Sequence, residues 1–66
     1  MNIKVNDIIQ TVEENTSLND LLHSLRMDSE AIVTVLNDAV IPIEKRFETV
    51  LCEGDCLDLV SLVGGG

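Results

Sequence analysis

A single run of leucines at helical spacing constrains this chain more than any other feature. The leucines fall at positions i, i+3, i+4 and i+7, so they share one stripe of a helix of about two turns. The stripe consists of Leu18, Leu21, Leu22 and Leu25. Ser17 is a favourable N-cap residue, and Asp20 stands at the third helical position, as in a capping box. We predict a helix from Leu18 to near Arg26.

The remainder of the chain is typical of short strands joined by turns. The predicted strands cover residues 2–5, 8–13, 31–36, 39–41, 49–51 and 56–63. Turn chemistry separates them at Asn6-Asp7, at Asn37-Asp38 and at residues 53–55. Pro42 ends one strand because it cannot donate to a central ladder, and residues 44–48 form a charged connector with one helical turn.

One amphipathic helix can cover only one face of a sheet, so this order of elements predicts an α+β roll in a single domain. Its last strand places Leu57 and Leu59 on one face, with Asp58, Val60 and Leu62 on the other. The C-terminal half of this strand is therefore apolar on both sides. Either a central strand packs on both sides near the sheet edge, or Val60 and Leu62 are partly exposed and form a patch that binds a partner.

The charge balance excludes some classes of partner. Four Lys or Arg residues against twelve Asp or Glu residues give a formal net charge of −8, which repels phosphate backbones and anionic lipid surfaces. We therefore expect neither nucleic acid nor a membrane as a partner, whereas a basic protein partner suits the charge, as does simple solubility. The N-terminus lacks the continuous apolar run of a signal peptide, which favours a cytoplasmic location.

The residues with reactive side chains do not form a catalytic or metal-binding pattern. Cys52 and Cys56 flank the turn at 53–55, where a catalytic thiol, a metal pair, a redox disulfide or a sulfur relay can be imagined. Two cysteines and one distant histidine do not complete a zinc site, so we expect free thiols that are buried or half-buried and structural. His23 falls among the polar helix positions, and Lys45-Arg46 is too small a basic pair for a phosphate site. Nothing in the sequence indicates an enzyme or a bound cofactor.

The chain ends SLVGGG, so the last predicted strand leads directly into three glycines. Glycine adds nothing to a core, so this run is explained best by something outside the fold. Together with the hairpin, the capped leucine helix, the NDAVIP turn and the EGD turn before the last strand, this ending resembles the ThiS/MoaD family of ubiquitin-like sulfur carriers. The resemblance covers the whole chain, and the length is typical of its thiamin branch.

The resemblance implies a β-grasp roll: a mixed sheet of four to five strands with one main helix packed on one face, formed by residues 1–63 and followed by a glycine tail at 64–66. In this family an E1-like adenylyltransferase of the ThiF type uses ATP to adenylate the terminal carboxylate. Sulfur from a donor such as a cysteine desulfurase then gives a thiocarboxylate for a thiazole synthase of the ThiG type. The reactive carboxylate would belong to Gly66, or to Gly65 if the chain were trimmed by one residue.

We also predict which residues meet the partners. Gly64 and Gly65 would thread the partner active site, since a tail without Cβ atoms fits a narrow channel. The expected partner-binding surface comprises Val60, Leu62 and Val63, with Asp58 steering the encounter. Three alternatives stay open: the same chemistry in molybdopterin or amino-acid synthesis, a ubiquitin-like modifier that forms isopeptide bonds, and an interaction module whose tail plays no part.

Overall fold

The computed structural model describes residues 1–62 and shows a five-stranded mixed sheet covered on one face by a helix. Its elements in chain order are β1 (Asn2–Val5), β2 (Ile8–Thr11), α1 (Leu18–Ser24), β3 (Ile32–Leu36), β4 (Ala39–Ile41), a 3₁₀ turn (Ile43–Lys45) and β5 (Cys56–Ser61). The strand order is β2-β1-β5-β3-β4, in which β5 lies at the centre, parallel to β1 and antiparallel to β3. The predicted α+β roll, with a mixed sheet of four to five strands and one helix on one face, is confirmed.

The two hairpins are formed by their Asn-Asp turns. Asn6 and Asp7 have φ angles of 50° and 68°, and Asn37 and Asp38 have φ angles of 51° and 69°. Positive φ at both central residues is the geometry of the type I′ turn, whose twist matches that of the flanking strands. Asn and Asp tolerate this conformation better than other residues with side chains, so the sequence itself fixes both hairpin registers.

The hydrophobic core lies between α1 and the sheet. Three leucines of the predicted stripe are buried against aliphatic side chains of β1 and β5, and Leu25 packs against this cluster from its edge. The core residues are Ile3, Val5, Leu18, Leu21, Leu22, Leu51, Leu57 and Leu59. The Ser17 side chain accepts a hydrogen bond of 3.0 Å from the Asp20 backbone N–H, which confirms the N-cap.

Several predicted boundaries were wrong by one or two residues, and one predicted strand is absent from the sheet. Strand β2 ends at Thr11, α1 ends at Ser24 and β3 begins at Ile32. Residues 49–51 form only an isolated bridge between Val50 and Ser17, because their backbone hydrogen bonds go to the chain that enters α1. Strand β5 ends at Ser61, and Val63 lies outside the described residues.

Candidate functional site

Strand β5 determines where the C-terminal segment leaves the fold. It pairs with β3 from Leu36↔Leu57 to Ile32↔Ser61, and the Leu62 backbone N–H then donates to the carbonyl of Ala31 at 2.8 Å. The chain is thus held against β3 as far as Leu62, whereas the β1 pairing on its other side ends at Leu57. Of the predicted site residues, Val63, Gly64, Gly65 and Gly66 lie outside the described residues, so their predicted roles stay predictions.

The sheet face opposite α1, which we call the open face, carries the other predicted site residues. Leu57 and Leu59 point into the core, so the alternating residues Asp58 and Val60 point away from it. Val60 is 50% exposed and Leu62 is 67% exposed. The interpretation in which this strand packs on both sides is therefore wrong for Val60, and the partly exposed arrangement is the one observed.

The open face also contains three valines that the sequence analysis did not select. Val33 pairs with Val60, Val35 pairs with Asp58 on one side and with Val40 on the other, and paired residues share a face of the sheet. We call Val33, Val35, Val40 and Val60 the valine face. Its signal was present in the sequence, because the strand at 32–36 is apolar at every position except Thr34 and so offers apolar side chains to both faces.

The two thiols lie at the end of the sheet where β5 begins. Both Cys52 and Cys56 are free and exposed, so the prediction of free thiols is confirmed and the prediction that they are buried or half-buried is wrong. The reason for Cys56 is strand alternation, which turns it to the open face beside Leu57. Cys52 begins a turn closed by an Asp55 N–H bond to its carbonyl at 3.1 Å, with Gly54 at φ 84°.

The remaining candidate groups are structural or solvated. His23 is exposed, as predicted, and its Nδ1 lies 3.2 Å from the Asp28 carboxylate. This hydrogen bond is the main reason that the pKa of Asp28 is lowered from its ordinary value, with a smaller contribution from a backbone hydrogen bond. Within residues 1–62, no group of three or more His, Cys, Asp or Glu side chains is placed to hold a metal ion.

Arg46 is the residue whose position the sequence least indicated. It is 2% exposed, and its guanidinium donates to the backbone carbonyls of Asp28, Ser29 and Ile32. Its own carbonyl accepts from the N–H of Asn19 at 3.0 Å. Arg46 therefore connects the start of α1 with the segment that leads into β3, beside the point where Leu62 pairs with Ala31.

The described helices are short: none of those within residues 1–62 has the length and apolar character needed to cross a membrane. A single helix packed on a mixed five-stranded sheet, with a parallel pair formed by the first and last strands, defines the β-grasp class of fold. Comparison with known proteins narrows the class further.

The model of the ThiS family matches residues 2–66, and this chain belongs to that family. The sulfur carrier protein ThiS of Bacillus subtilis (strain 168) is 30% identical over 54 residues, which is 82% of each chain. A crystal structure of the thiamine biosynthesis protein ThiS from Geobacter metallireducens superposes with a TM-score of 0.86 at 30% identity, over 100% of both chains. The solution structure of a thiamine biosynthesis protein from the same organism gives a TM-score of 0.78 and covers 88% of that chain.

Proposed function

We propose that this chain is a sulfur carrier for formation of the thiazole of thiamin, and that the carboxylate of Gly66 carries the sulfur. The observation that carries the proposal is the match to ThiS proteins through the glycine run at residue 66, in a fold that superposes along its whole length on a thiamine biosynthesis protein. The chain acts as a co-substrate, and its partners supply the catalysis.

The proposed chemistry requires activation, since a carboxylate is a poor acyl donor until it acquires a good leaving group. An E1-like adenylyltransferase joins the Gly66 carboxylate to AMP from ATP and releases pyrophosphate. Hydrosulfide then attacks the acyl carbon, and AMP leaves, which gives the thiocarboxylate directly. A persulfide donor instead gives an acyl persulfide, and a thiol of the partner then cleaves its S–S bond, which releases the thiocarboxylate and forms a disulfide on the partner. The ATP is used by the activating partner, so the proposal requires no cofactor on this chain.

The geometry of the described residues suits a chain end that must enter another protein. The pairing of β5 with β3 holds the chain as far as Ser61, and the Leu62 backbone N–H extends this pairing, so only residues 63–66 follow the held segment in the sequence. Glycines at the end of the chain offer backbone without Cβ atoms to a narrow channel. Val60 and Leu62 lie immediately before this segment and are exposed for contact.

The valine face is the proposed docking surface for the partners. Val60 of this face lies two residues before Leu62, and Val33 lies opposite Val60 on β3, so a partner that covers these side chains contacts the chain just before the segment that ends in Gly66. The partners that the proposal names are a ThiF-type adenylyltransferase, a ThiG-type thiazole synthase and a sulfur donor such as a cysteine desulfurase. Because the carrier must leave each of them, the contact is of the modest size typical of transient complexes.

The test compares two forms of the chain that differ only in the terminal carboxylate. The full chain and a semisynthetic chain ending in a Gly66 carboxamide are each mixed with the E1-like adenylyltransferase of the same organism, and ATP–pyrophosphate exchange is measured. The free acid supports exchange, whereas the carboxamide binds the enzyme but supports none. Equal exchange with both forms would overturn the proposed role of Gly66.

A growth experiment identifies the pathway. A strain that lacks this chain requires thiamin or its thiazole precursor, and a plasmid copy of the chain removes that requirement. A copy that lacks Gly66 does not, although it folds normally by circular dichroism. Growth of the deletion strain without thiamin, combined with loss of molybdopterin-dependent activity or with an amino-acid requirement, would assign the same chemistry to another pathway.

A further inference from the structure

Asp58 is the only one of the twelve acidic residues that lies within a strand. The other acidic residues occupy turns, connections or helical turns. Asp is disfavoured in strands, and here it stands in the central strand β5. A residue with low strand propensity is expected inside a sheet mainly where function requires it.

On the open face, the neighbours of Asp58 along β5 and on β3 carry no charge, whereas Lys4 of β1 lies on the same face. Val35 lies directly opposite on β3, at the usual cross-strand separation of about 5 Å between Cβ atoms. Val60 and Cys56 lie two residues away on either side along β5 and point to the same face. The Asp58 carboxylate is therefore a single negative charge within the surface that adjoins the root of the tail.

No cation of the described chain pairs with this carboxylate. The ion pairs within residues 1–62 are His23–Asp28 and Lys45–Glu48. Arg46 is buried on the helix side of the sheet. Lys4 is the only basic residue in a strand, and it pairs across β1–β5 with Cys56, so its position is diagonal to Asp58.

A protein that covers the valine face must also cover Asp58. Removing an ionised carboxylate from water without a compensating charge costs far more than a few apolar contacts return. In the free carrier the Asp58 carboxylate is exposed to water. The desolvation cost therefore arises only when a partner docks. The requirement for a counter-charge therefore falls on the partner.

We infer that Asp58 is a specificity residue whose carboxylate forms an ion pair with an arginine of the activating enzyme, within an otherwise apolar contact. This inference rests on the proposed function. Arginine is the side chain suited to the role, because its planar guanidinium is weakly hydrated and binds a carboxylate through two parallel hydrogen bonds. An enzyme surface that presents only apolar groups is rejected by the same carboxylate, so Asp58 separates the correct partner from other apolar surfaces.

Association and dissociation rates with the immobilised E1-like adenylyltransferase of the same organism test the inference. Asp58→Asn keeps the shape of the side chain and removes its charge, and Glu14→Gln is the matched control, since it removes one charge from the exposed connection between β2 and α1. We expect Asp58→Asn to raise Kd by about 30-fold or more, through faster dissociation, and Glu14→Gln to change it by less than about 3-fold.

The kinetic readout separates a buried ion pair from long-range steering. A steering role would lower the association rate, leave dissociation unchanged and vanish at high salt, and this result would overturn the inference. An Asp58→Leu variant, verified as monomeric, gives a second discrimination. We expect it to bind at least as weakly as Asp58→Asn, because the arginine loses its partner, whereas tighter binding than wild type would show that the enzyme surface is apolar there.

The wild-type chain in the same experiment distinguishes failure of the inference about Asp58 from failure of the proposed function. Binding and adenylation of wild type with unchanged affinity of Asp58→Asn would overturn the inference and leave the proposed function intact. Absence of wild-type adenylation by an enzyme that is demonstrably active would overturn both.

Discussion

The buried guanidinium of Arg46 gives the sharpest test of how this small fold is held together. The perturbation is Arg46→Met, which keeps an unbranched apolar stem and removes the charged group. The group donates to the carbonyls of Asp28 and Ser29 at 3.4 and 3.3 Å, and more closely to that of Ile32. The first two bonds are long, and the third is the shortest of the three.

The expected magnitude follows from these contacts. A hydrogen bond from a charged group contributes about 1.5–3 kcal/mol, and we assign that value to the Ile32 bond and about 0.5 kcal/mol to each of the long bonds. The buried Nε atom of Arg46 has no hydrogen-bond partner, so its removal returns about 1 kcal/mol. The net expected loss is about 1.5–3 kcal/mol, against a total stability of roughly 3–10 kcal/mol for a chain of this length.

Urea denaturation followed by circular dichroism measures this loss, and Lys45→Met is the matched control. Lys45 is the preceding residue, and its exposed ion pair with Glu48 contributes little. With an m-value of about 1 kcal/mol/M, we expect the midpoint for Arg46→Met to fall by roughly 1.5–3 M, and that for Lys45→Met by less than about 0.5 M. Equal, small shifts for both variants would refute the assignment of a structural role to the guanidinium.

Three further predictions concern the core, the thiols and the loss of stability at low pH. Leu22→Ala removes a fully buried side chain and is expected to cost about 2–5 kcal/mol in urea denaturation; a cost below about 1 kcal/mol would contradict its placement in the core. Cys52 and Cys56 are expected to react with a thiol reagent in the native protein nearly as fast as in urea, and strong native protection of either would show that it is covered. The pKa of Asp28 is lowered in the folded state by His23, so its carboxylate stabilises the fold above the unfolded-state pKa and this contribution is lost as pH falls through the folded-state pKa. We expect a carboxyl NMR titration midpoint below the ordinary Asp value, which returns toward it in His23→Ala; an unshifted midpoint in wild type would contradict the pair.

The elements that local chemistry determines were predictable from the sequence. The Asn-Asp pairs specify type I′ turns without reference to the rest of the chain, and the leucine spacing with its Ser17 cap specifies the helix. Alternation along β5 was enough to place Asp58 and Val60 opposite the core. The same reasoning applied to β3 would have found the valine face before the structure.

Features that depend on distant partners were not predictable in this way. The interpretation of residues 49–51 as a strand was wrong because β-branched composition does not reveal which chain a segment pairs with, and here the pairing is to the entry of α1. The burial of Arg46 depends on carbonyls 14 to 18 residues earlier in the chain, which no local pattern encodes. Cys56 was predicted to be buried or half-buried because of its residue type, although strand alternation turns it to the open face.

The role of the C-terminal glycine is tested most directly by the intact mass of the full chain after reaction. The chain is incubated with the E1-like adenylyltransferase of the same organism, ATP and sulfide, and is then fragmented in the mass spectrometer. We expect a mass increase equal to the replacement of one oxygen by sulfur, confined to fragments that contain Gly66. An unchanged mass with an enzyme that is active in pyrophosphate exchange, or a sulfur located at Cys52 or Cys56 instead, would contradict a thiocarboxylate carrier.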